Sequence, residues 1–266
     1  MKSNNFIIPT EGIIPIRMTS DLLFKYLLQE RNGVLKAILK AFLPFDNDQI
    51  ISAEVTNAIQ LGDHVDDKNM ILDVRVEMNQ NKIVNLEMQV INNYDWPERS
   101  LSYLCRCFDN LKSGQDYIDI KAAYHIGFLD YSPFPEQKEF YSTYMMLNTK
   151  SYQPYTGKFG ISVIDLNQIT IATNEDILAK RDLWARFFKA TTWEEINMLA
   201  SKDIDIMNAA VSTYKLTDEE KFRMQYEARE DAIRCQNDMR RHFEEIIANK
   251  NAEIEALRKQ ITSLSQ

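Results

Sequence analysis

The chain has 266 residues, of which 45% are hydrophobic and 11% aromatic, and a formal net charge of −8. This length predicts one large domain or a domain with an appendage, and the composition is sufficient for a core of globular size. No apolar run approaches the roughly 18 residues of a membrane-spanning helix, and residues 1–12 lack the apolar stretch of a signal peptide, so we expect no membrane partner. The negative charge argues against a broad electrostatic grip on nucleic acid, which depends on neutralising phosphates.

The cysteines are odd in number and lack the spacing of a metal site: Cys105, Cys107 and Cys235. Cys105 and Cys107 fall on a predicted helix, where residues two apart do not face each other. Disulfide bonds are rare in cytosolic proteins. We therefore expect three reduced thiols and a cytoplasmic location.

Two helices are predicted near the N-terminus. Thr19 or Ser20 can cap the first, which begins at Asp21, and the second follows Gly33. Asp21 and Lys25 are four residues apart and share one side of the first helix, where such a pair contributes roughly 0.2–0.5 kcal/mol. A helix-stabilising ion pair is therefore one interpretation of these two residues.

The most informative segment is residues 71–90, ILDVRVEMNQNKIVNLEMQV. Apolar and polar residues alternate on both sides of a polar turn, as in two antiparallel strands. A three-residue turn would place Met78 opposite Lys82 and, counting away from the turn, Asp73 opposite Glu87. Directly opposed residues share a sheet face and have Cβ atoms roughly 4.5–5.5 Å apart. The segment therefore predicts a pair of carboxylates held face to face.

Such a carboxylate pair needs a physical reason, because like charges opposite one another destabilise a sheet. A divalent cation between Asp73 and Glu87 would remove the penalty. Oxygen ligands of this kind suit Mg²⁺ or Mn²⁺ rather than zinc. Gln89 lies two residues beyond Glu87 and so points to the same face. The sequence therefore predicts a site in which these three residues surround a hard cation.

A further helix is predicted from residue 97 to residue 113, with Gly114 as its C-terminal stop. Its inward face is predicted to contain apolar residues, namely Leu101, Leu104, Cys105, Phe108 and Leu111. Its polar face is predicted to contain Arg99, Ser102, Tyr103 and Arg106. Because arginine binds phosphate oxygens bidentately, Arg99, Tyr103 and Arg106 are candidate DNA contacts. The alternative is an ordinary solvent-facing side of a helix.

Further strands are predicted at residues 50–61, 118–129, 140–147 and 160–166. His125 lies inside the second of these, and we interpret it as a core histidine satisfied by its neighbours rather than a metal ligand. The succession of strand, helix and strand requires a crossover connection and predicts a mixed sheet. We therefore expect an α/β fold in which helices flank a mixed sheet.

The C-terminal part of the chain is predicted to be helical, with helices around residues 174–190, 192–201 and 203–214. Thr217 and Glu220 have the spacing of a capping box at the start of a long helix. Near its end, Ile247, Ile254 and Ile261 repeat every seven positions, with Lys250, Leu257 and Leu264 three residues after each, and Lys250 is the polar exception in this pattern. Isoleucine and leucine in these positions favour a parallel two-stranded coiled coil and hence a homodimer. The alternative is a single helix lying on the domain.

The spacing of Asp73 and Glu87 is similar to a known nuclease pattern, in which an Asp is followed about a dozen residues later by Glu-x-Lys on a second strand. Several surrounding motifs strengthen the likeness: Asp21-x-x-Phe24-Lys25, Asp67-Lys68, Ile71-Leu72-Asp73-Val74, Asn85-Leu86-Glu87-Met88-Gln89, Arg99-Ser100-Leu101-Ser102-Tyr103 and Gly114-Gln115-x-Tyr117. The set resembles the Rpn-type recombination-promoting nucleases and transposases of the PD-(D/E)XK superfamily. The resemblance covers residues 18–129 well and the later helices more loosely.

The resemblance implies a restriction-endonuclease-like fold and a DNA endonuclease associated with recombination or mobile elements. It implies that Asp73 and Glu87 bind Mg²⁺ or Mn²⁺, with the Met88 carbonyl as a further ligand. It also implies that Asp21 supports the metal site and that Lys25 lies near a phosphate. On this basis the chain divides into a PD-(D/E)XK nuclease-like domain at 1–170, a helical subdomain at 171–216 and the long helix or coiled coil at 217–266.

Gln89 departs from the superfamily pattern, because it stands where that pattern has lysine, although glutamine recurs at this position in the Rpn-type family that the chain resembles. Glutamine carries no charge and cannot act as a base, so it can only orient water through hydrogen bonds. Two alternatives to a nuclease therefore stay open. One is a catalytically weak or inactive DNA-binding and dimerisation module of the same fold. The other is a structural dimer in which the acidic pair is accidental.

Overall fold

The structure of the protein is a computed structural model that describes residues 8–43, 50–57, 73–79 and 81–264. Within these ranges, one sheet has the strand order β1-β2-β3-β4-β6-β5. Its strands are β1 Ala53–Val55, β2 Val74–Met78, β3 Lys82–Gln89, β4 Ala122–Leu129, β5 Tyr141–Met145 and β6 Phe159–Asp165. The helices are α1 Asp21–Glu30, α2 Asn32–Phe42, α3 Trp96–Phe108, α4 Asn174–Leu178, α5 Arg181–Lys189, α6 Trp193–Ala200, α7 Ile204–Asp218 and α8 Glu220–Leu264. The predicted α/β class is confirmed.

The predicted register of the central hairpin is confirmed. β2 and β3 are antiparallel, and Met78 pairs with Lys82 while Val74 pairs with Leu86. One further step along this register places Asp73, just before β2, opposite Glu87. The first strand, predicted at residues 50–61, is shorter than expected and spans Ala53–Val55. Positions 58–61 of that prediction, and positions 71 and 72 of the hairpin, lie outside the described residues.

The crossover prediction is also confirmed. α3 connects β3 to β4, and these two strands are parallel, as are β4 and β6. β5 adds an antiparallel edge, so that the sheet is mixed. Every residue of β4 is buried. This is the restriction-endonuclease-like arrangement of a mixed sheet flanked by helices.

The two faces of the sheet have separate cores. On one face, β-strand residues such as Val84, Leu86 and Phe128 pack with α1, α2 and the later helices. Phe24 of α1 and Phe42 of α2 contact the Phe128 ring at centroid distances of 5.3 and 4.8 Å. On the other face, a smaller cluster forms where α3 covers the sheet, from Ile83, Trp96, Leu104, Cys107, Ala123, Leu129, Ile161 and Val163.

The predicted inward face of α3 is wrong at two of its residues, whereas Leu104 is buried as predicted. Its buried residues are Trp96, Ser100, Leu104 and Cys107, and the helix ends at Phe108 rather than residue 113. The predicted inward residue Leu101 is exposed, as is Cys105. The reason is the Trp96 anchor, which starts an i, i+4, i+8, i+11 stripe. As a result, the half-buried Arg99 and Tyr103 lie next to the sheet instead of on an outer face.

The predicted capping box at the start of the long helix is wrong. Thr217 lies in the last turn of α7, where its hydroxyl donates to the Tyr214 carbonyl at 2.7 Å. α8 then begins at Glu220 and continues for 45 residues. The predicted helix around residues 174–190 is also divided, because Lys180 has a positive φ of 61° between α4 and α5.

α8 has two parts with different surroundings. Its first turns pack against α1 and α7, and Phe222 and Ile233 are buried. Its later heptad residues are exposed, with 58% exposure at Ile247, 46% at Ile254 and 51% at Leu257. No helix in the described part of the chain is long and apolar enough to cross a membrane.

Candidate active site

The candidate site lies at the end of the hairpin farthest from its turn, where Asp73 and Glu87 face each other. Lys25 of α1 reaches the same place, and its ammonium group donates to the Asp73 backbone carbonyl at 2.9 Å. All three residues are buried, with 8% exposure at Asp73, 4% at Glu87 and 1% at Lys25. Charged side chains are seldom buried so completely, so this cluster is a functional-site candidate.

Several polar atoms of the site have no hydrogen-bond partner. Among the residues that the structure describes, five buried side-chain atoms are in this state, and four of them lie here: Asp73 Oδ1, Asn85 Oδ1, Glu87 Oε2 and His125 Nε2. Unsatisfied buried polar atoms are rare in folded proteins and often mark an absent ion or water. Two carboxylate oxygens and one amide oxygen are the donor set that Mg²⁺ or Mn²⁺ prefers. The residues therefore fit a hard divalent cation.

The side chains of the site could supply only a few ligands to a metal ion. The described residues contain no group of three or more His, Cys, Asp or Glu side chains that could hold a metal ion. This is compatible with Mg²⁺, which typically takes one or two carboxylates and keeps several waters. The Met88 side chain packs in the core of the opposite sheet face, so this residue could contribute only through its main chain.

Arg99, which was predicted to lie on the outer polar face of α3, binds Glu87. Its Nε and Nη2 atoms donate to Glu87 Oε1 at 2.8 and 2.6 Å. Burial raises the pKa of Glu87, and the charge and hydrogen bonds of Arg99 oppose that rise. One carboxylate oxygen is thus neutralised by arginine, while Oε2 is left for another partner.

The other two predicted DNA contacts lie beside this pair. The Tyr103 ring stacks on the His125 ring at a centroid distance of 5.9 Å and an angle of 13°. The guanidinium carbons of Arg99 and Arg106 lie 5.4 and 5.7 Å from the centre of the Tyr103 ring. Arg106 is exposed. The three residues are therefore brought together, with Arg106 on the solvent side.

Asp21 is paired with a residue far along the chain. Arg229 of α8 donates to its carboxylate, with Nη2 and Oδ2 2.5 Å apart. The Asp21 charge also raises the pKa of Glu87, so Asp21 lies within electrostatic range of the site. Lys25 donates to the Asp73 backbone carbonyl, so its role is not limited to a helix ion pair with Asp21. The structure thus places both residues at the edge of the site.

Gln89 lies at the end of β3, on the same face as Glu87. Its Nε2 donates to the Ile91 carbonyl at 3.1 Å, which holds the amide in a defined orientation. The side chain is half-buried. Because Ile91 accepts from one amino hydrogen, the amide oxygen and the second amino hydrogen are the parts of Gln89 that can orient a bound water.

Burial shifts the pKa of each ionisable group in the centre of the site. It raises the pKa of Asp73, an effect that nearby Lys25 opposes, and it lowers the pKa of Lys25. It also lowers the pKa of His125 to about 3, so the imidazole is neutral at physiological pH. Without a bound cation, these pKa shifts disfavour the charged forms of the buried side chains, as expected of a site that binds a cation.

Sequence reasoning missed three residues of this cluster. Asn85 lies two residues before Glu87, on the same sheet face as Asp73, and the alternation of β3 could have revealed it. His125 was predicted to be satisfied in the core, but its Nε2 has no partner within the described residues. Arg229 had no signal, because its contact with Asp21 joins residues 208 positions apart.

A model of the PD-(D/E)XK nuclease family transposases matches residues 18–242 of the chain. The chain belongs to this family. The match includes the whole sheet and the paired carboxylates, and it ends before the heptad residues of α8. Comparisons with curated proteins and with solved structures find no match. PD-(D/E)XK nucleases generally use divalent metal ions, which agrees with the donor set at Asp73 and Glu87.

Proposed function

We propose that this PD-(D/E)XK transposase is a DNA endonuclease that hydrolyses phosphodiester bonds with Mg²⁺ or Mn²⁺ bound by Asp73 and Glu87. The observation that carries the proposal is the pair of buried, unpartnered oxygens, Asp73 Oδ1 and Glu87 Oε2, on adjacent strands. The Met88 carbonyl would be a further ligand. An association with recombination or mobile elements follows from the transposase family and is part of the same proposal.

The bound cation would lower the pKa of a water molecule and stabilise negative charge on the phosphate. Lys25 places a positive charge beside Asp73 without occupying Asp73 Oδ1, which has no hydrogen-bond partner. We assign Lys25 the role of stabilising charge on the phosphate. Asp21, held by Arg229, supports the cation site from the edge and limits how far α1 can shift.

Gln89 takes the position of the lysine in the superfamily pattern and has a narrower role. Its amide oxygen can accept a hydrogen bond from the attacking water, but it cannot remove the proton. The proton would therefore go to solvent or to another base. We expect slower turnover than a lysine at this position would give.

DNA would approach the site past α3. Arg106 is exposed and Arg99 retains 32% side-chain exposure despite its bond to Glu87. We propose that Arg106 and the outer edge of Arg99 contact phosphates flanking the scissile bond, with Tyr103 supporting both guanidinium groups. Such contacts position the strand but do not read its sequence.

The test is nicking of supercoiled plasmid DNA by the purified protein. Conversion to open circles with Mg²⁺ or Mn²⁺, and none with EDTA, is the expected result. The alternative of a DNA-binding module is favoured by Gln89, which lacks the charge of the usual lysine. DNA binding without turnover in either metal would identify that alternative.

We also propose that the exposed heptads of α8 form a parallel coiled coil with a second copy of the chain. The seam is self-complementary, since isoleucine and leucine alternate along one stripe and a dimer would bury them. Ile254→Asn should weaken the dimer in sedimentation experiments. Ala252→Asn is the matched control, because Ala252 is also exposed but lies at the outer f position of the heptad, away from the seam. Equal dimerisation of both variants and the parent would contradict this proposal.

A further inference from the structure

A buried hydrogen-bonded bridge of Asn85 and His125 joins β3 to β4 beside the two carboxylates of the site. The β3–β4 register places Asn85 beside His125. The side-chain nitrogen Nδ2 of Asn85 lies 3.1 Å from His125 Nδ1. Asn85 is two residues from Glu87 and diagonal to Asp73 on the same sheet face, and its side chain lowers the pKa of the Asp73 carboxyl against the effect of burial. Asn85 and His125 are 1% and 0% exposed, so this bridge is closed to solvent.

The chemistry of the bridge determines where its protons lie. The Asp73 carboxylate accepts hydrogen bonds, so the amino side of Asn85 must face it. The same amino group has a second hydrogen, which it donates to His125 Nδ1. A neutral imidazole that accepts at Nδ1 carries its proton at Nε2. His125 is thus a hydrogen-bond donor at Nε2 and is not available as a metal ligand through that atom.

The Nε2 atom points at the other carboxylate. It lies 3.8 Å from Glu87 Oε2, and neither atom has another hydrogen-bond partner within the described residues. An N–H···O bond is typically about 2.9–3.0 Å long, so a shift of under about 1 Å would close this contact. Glu87 Oε1 is already held by Arg99, and Oε2 is the oxygen that a cation would bind.

The ring of His125 is fixed in this direction by its neighbours. Tyr103 stacks on one side, and Trp96 lies at a centroid distance of 5.5 Å. Gly127, two residues along β4, makes room for the Trp96 ring. The orientation of the imidazole is therefore set by packing as well as by Asn85.

We propose that Asn85 and His125 are positioning residues that hold Asp73 and Glu87 in the orientation required to bind a divalent cation. This inference rests on the proposed metal site but not on DNA hydrolysis. Hydrogen-bond partners behind the metal ligands orient them, and their loss typically lowers metal affinity by 10–100-fold.

The test is calorimetric titration of the full chain with Mn²⁺ in the absence of DNA. His125→Phe keeps a flat ring between Tyr103 and Trp96 but removes the donor, and should weaken Mn²⁺ binding by roughly 10–100-fold. His125→Gln retains an N–H donor and should recover most of the loss. His242→Phe is the matched control, because His242 is an exposed histidine on α8, and it should bind like the parent.

A second measurement does not depend on any variant folding. Nitrogen NMR of the histidine rings in the metal-free parent should show His125 protonated at Nε2 and unprotonated at Nδ1. The opposite tautomer would overturn the inference. Unchanged Mn²⁺ affinity in His125→Phe, together with a loss of affinity in Asp73→Ala, would also overturn the inference. That outcome would not contradict the proposed nuclease function. Mn²⁺ binding that depends on His125 in a protein that cannot nick DNA would support the inference and contradict the proposed function.

Discussion

Gly127 is the position where a single methyl group should disturb the site most. A Cβ atom added there would lie 2.0 Å from Cη2 and 2.3 Å from Cζ2 of Trp96. Carbon atoms are in favourable contact at about 3.5–4.0 Å, so the indole would have to move by about 1.5 Å. Trp96 is 2% exposed and anchors α3, so it has little space to move into.

We predict that Gly127→Ala destabilises the protein by about 2–3 kcal/mol. Overpacking of a core costs roughly 1–3 kcal/mol, and this contact belongs at the upper end. Replacing glycine inside a strand would otherwise gain about 0.5–1 kcal/mol, which reduces the net loss slightly. The measurement is urea unfolding followed by far-UV circular dichroism.

Gly33→Ala is the matched control, because a Cβ there meets nothing within 4 Å. It should be neutral or stabilise the helix by up to about 1 kcal/mol. Trp96→Leu should remove most of the cost of Gly127→Ala when the two changes are combined, since the clash is between these side chains. A Gly127→Ala variant within about 0.5 kcal/mol of the parent would refute the packing argument.

Three further predictions concern charge. Asp73→Asn should raise the melting temperature at pH 7, because burial raises the pKa of Asp73 in the folded protein and its ionised carboxylate therefore costs stability at that pH. Calorimetry should show this gain vanishing below about pH 4, where the carboxyl is protonated in the unfolded chain as well. His125, with a folded pKa of about 3, should reduce stability by about 1.4 kcal/mol per pH unit as pH falls from about 6.5 toward 3, and His125→Phe should flatten that part of the stability curve. Arg229→Gln should cost about 1–3 kcal/mol in urea unfolding by leaving buried Asp21 without its cation, whereas Arg234→Gln, at an exposed pair, should cost less than about 0.5 kcal/mol.

The hairpin could be predicted in detail because its information is local. Period-two alternation and a short polar turn fix the pairing of Met78 with Lys82, and the opposition of Asp73 and Glu87 follows from it. α3 shows where local patterns fail. Its apolar residues fit two neighbouring stripes, and the Trp96 ring that fills the space above Gly127 decides between them.

Other parts of the site depend on contacts that no local pattern contains. Arg229 reaches Asp21, 208 positions away in sequence, because α8 returns to pack on α1. Thr217 and Glu220 have the spacing of a capping box, but α7 continues through Thr217, so this residue does not begin α8. The bridge of Asn85 and His125 required the β3–β4 register, which the sequence did not specify.

The measurement that tests the central claim most directly is plasmid nicking in Mg²⁺ and Mn²⁺ by the parent, Asp73→Ala and Glu77→Ala. Glu77 is on the same face of the hairpin but pairs with Lys121, at 2.6 Å, away from the site. We predict that Asp73→Ala abolishes metal-dependent nicking while Glu77→Ala retains it. Nicking by Asp73→Ala at the parent's rate would contradict the assignment of the active site.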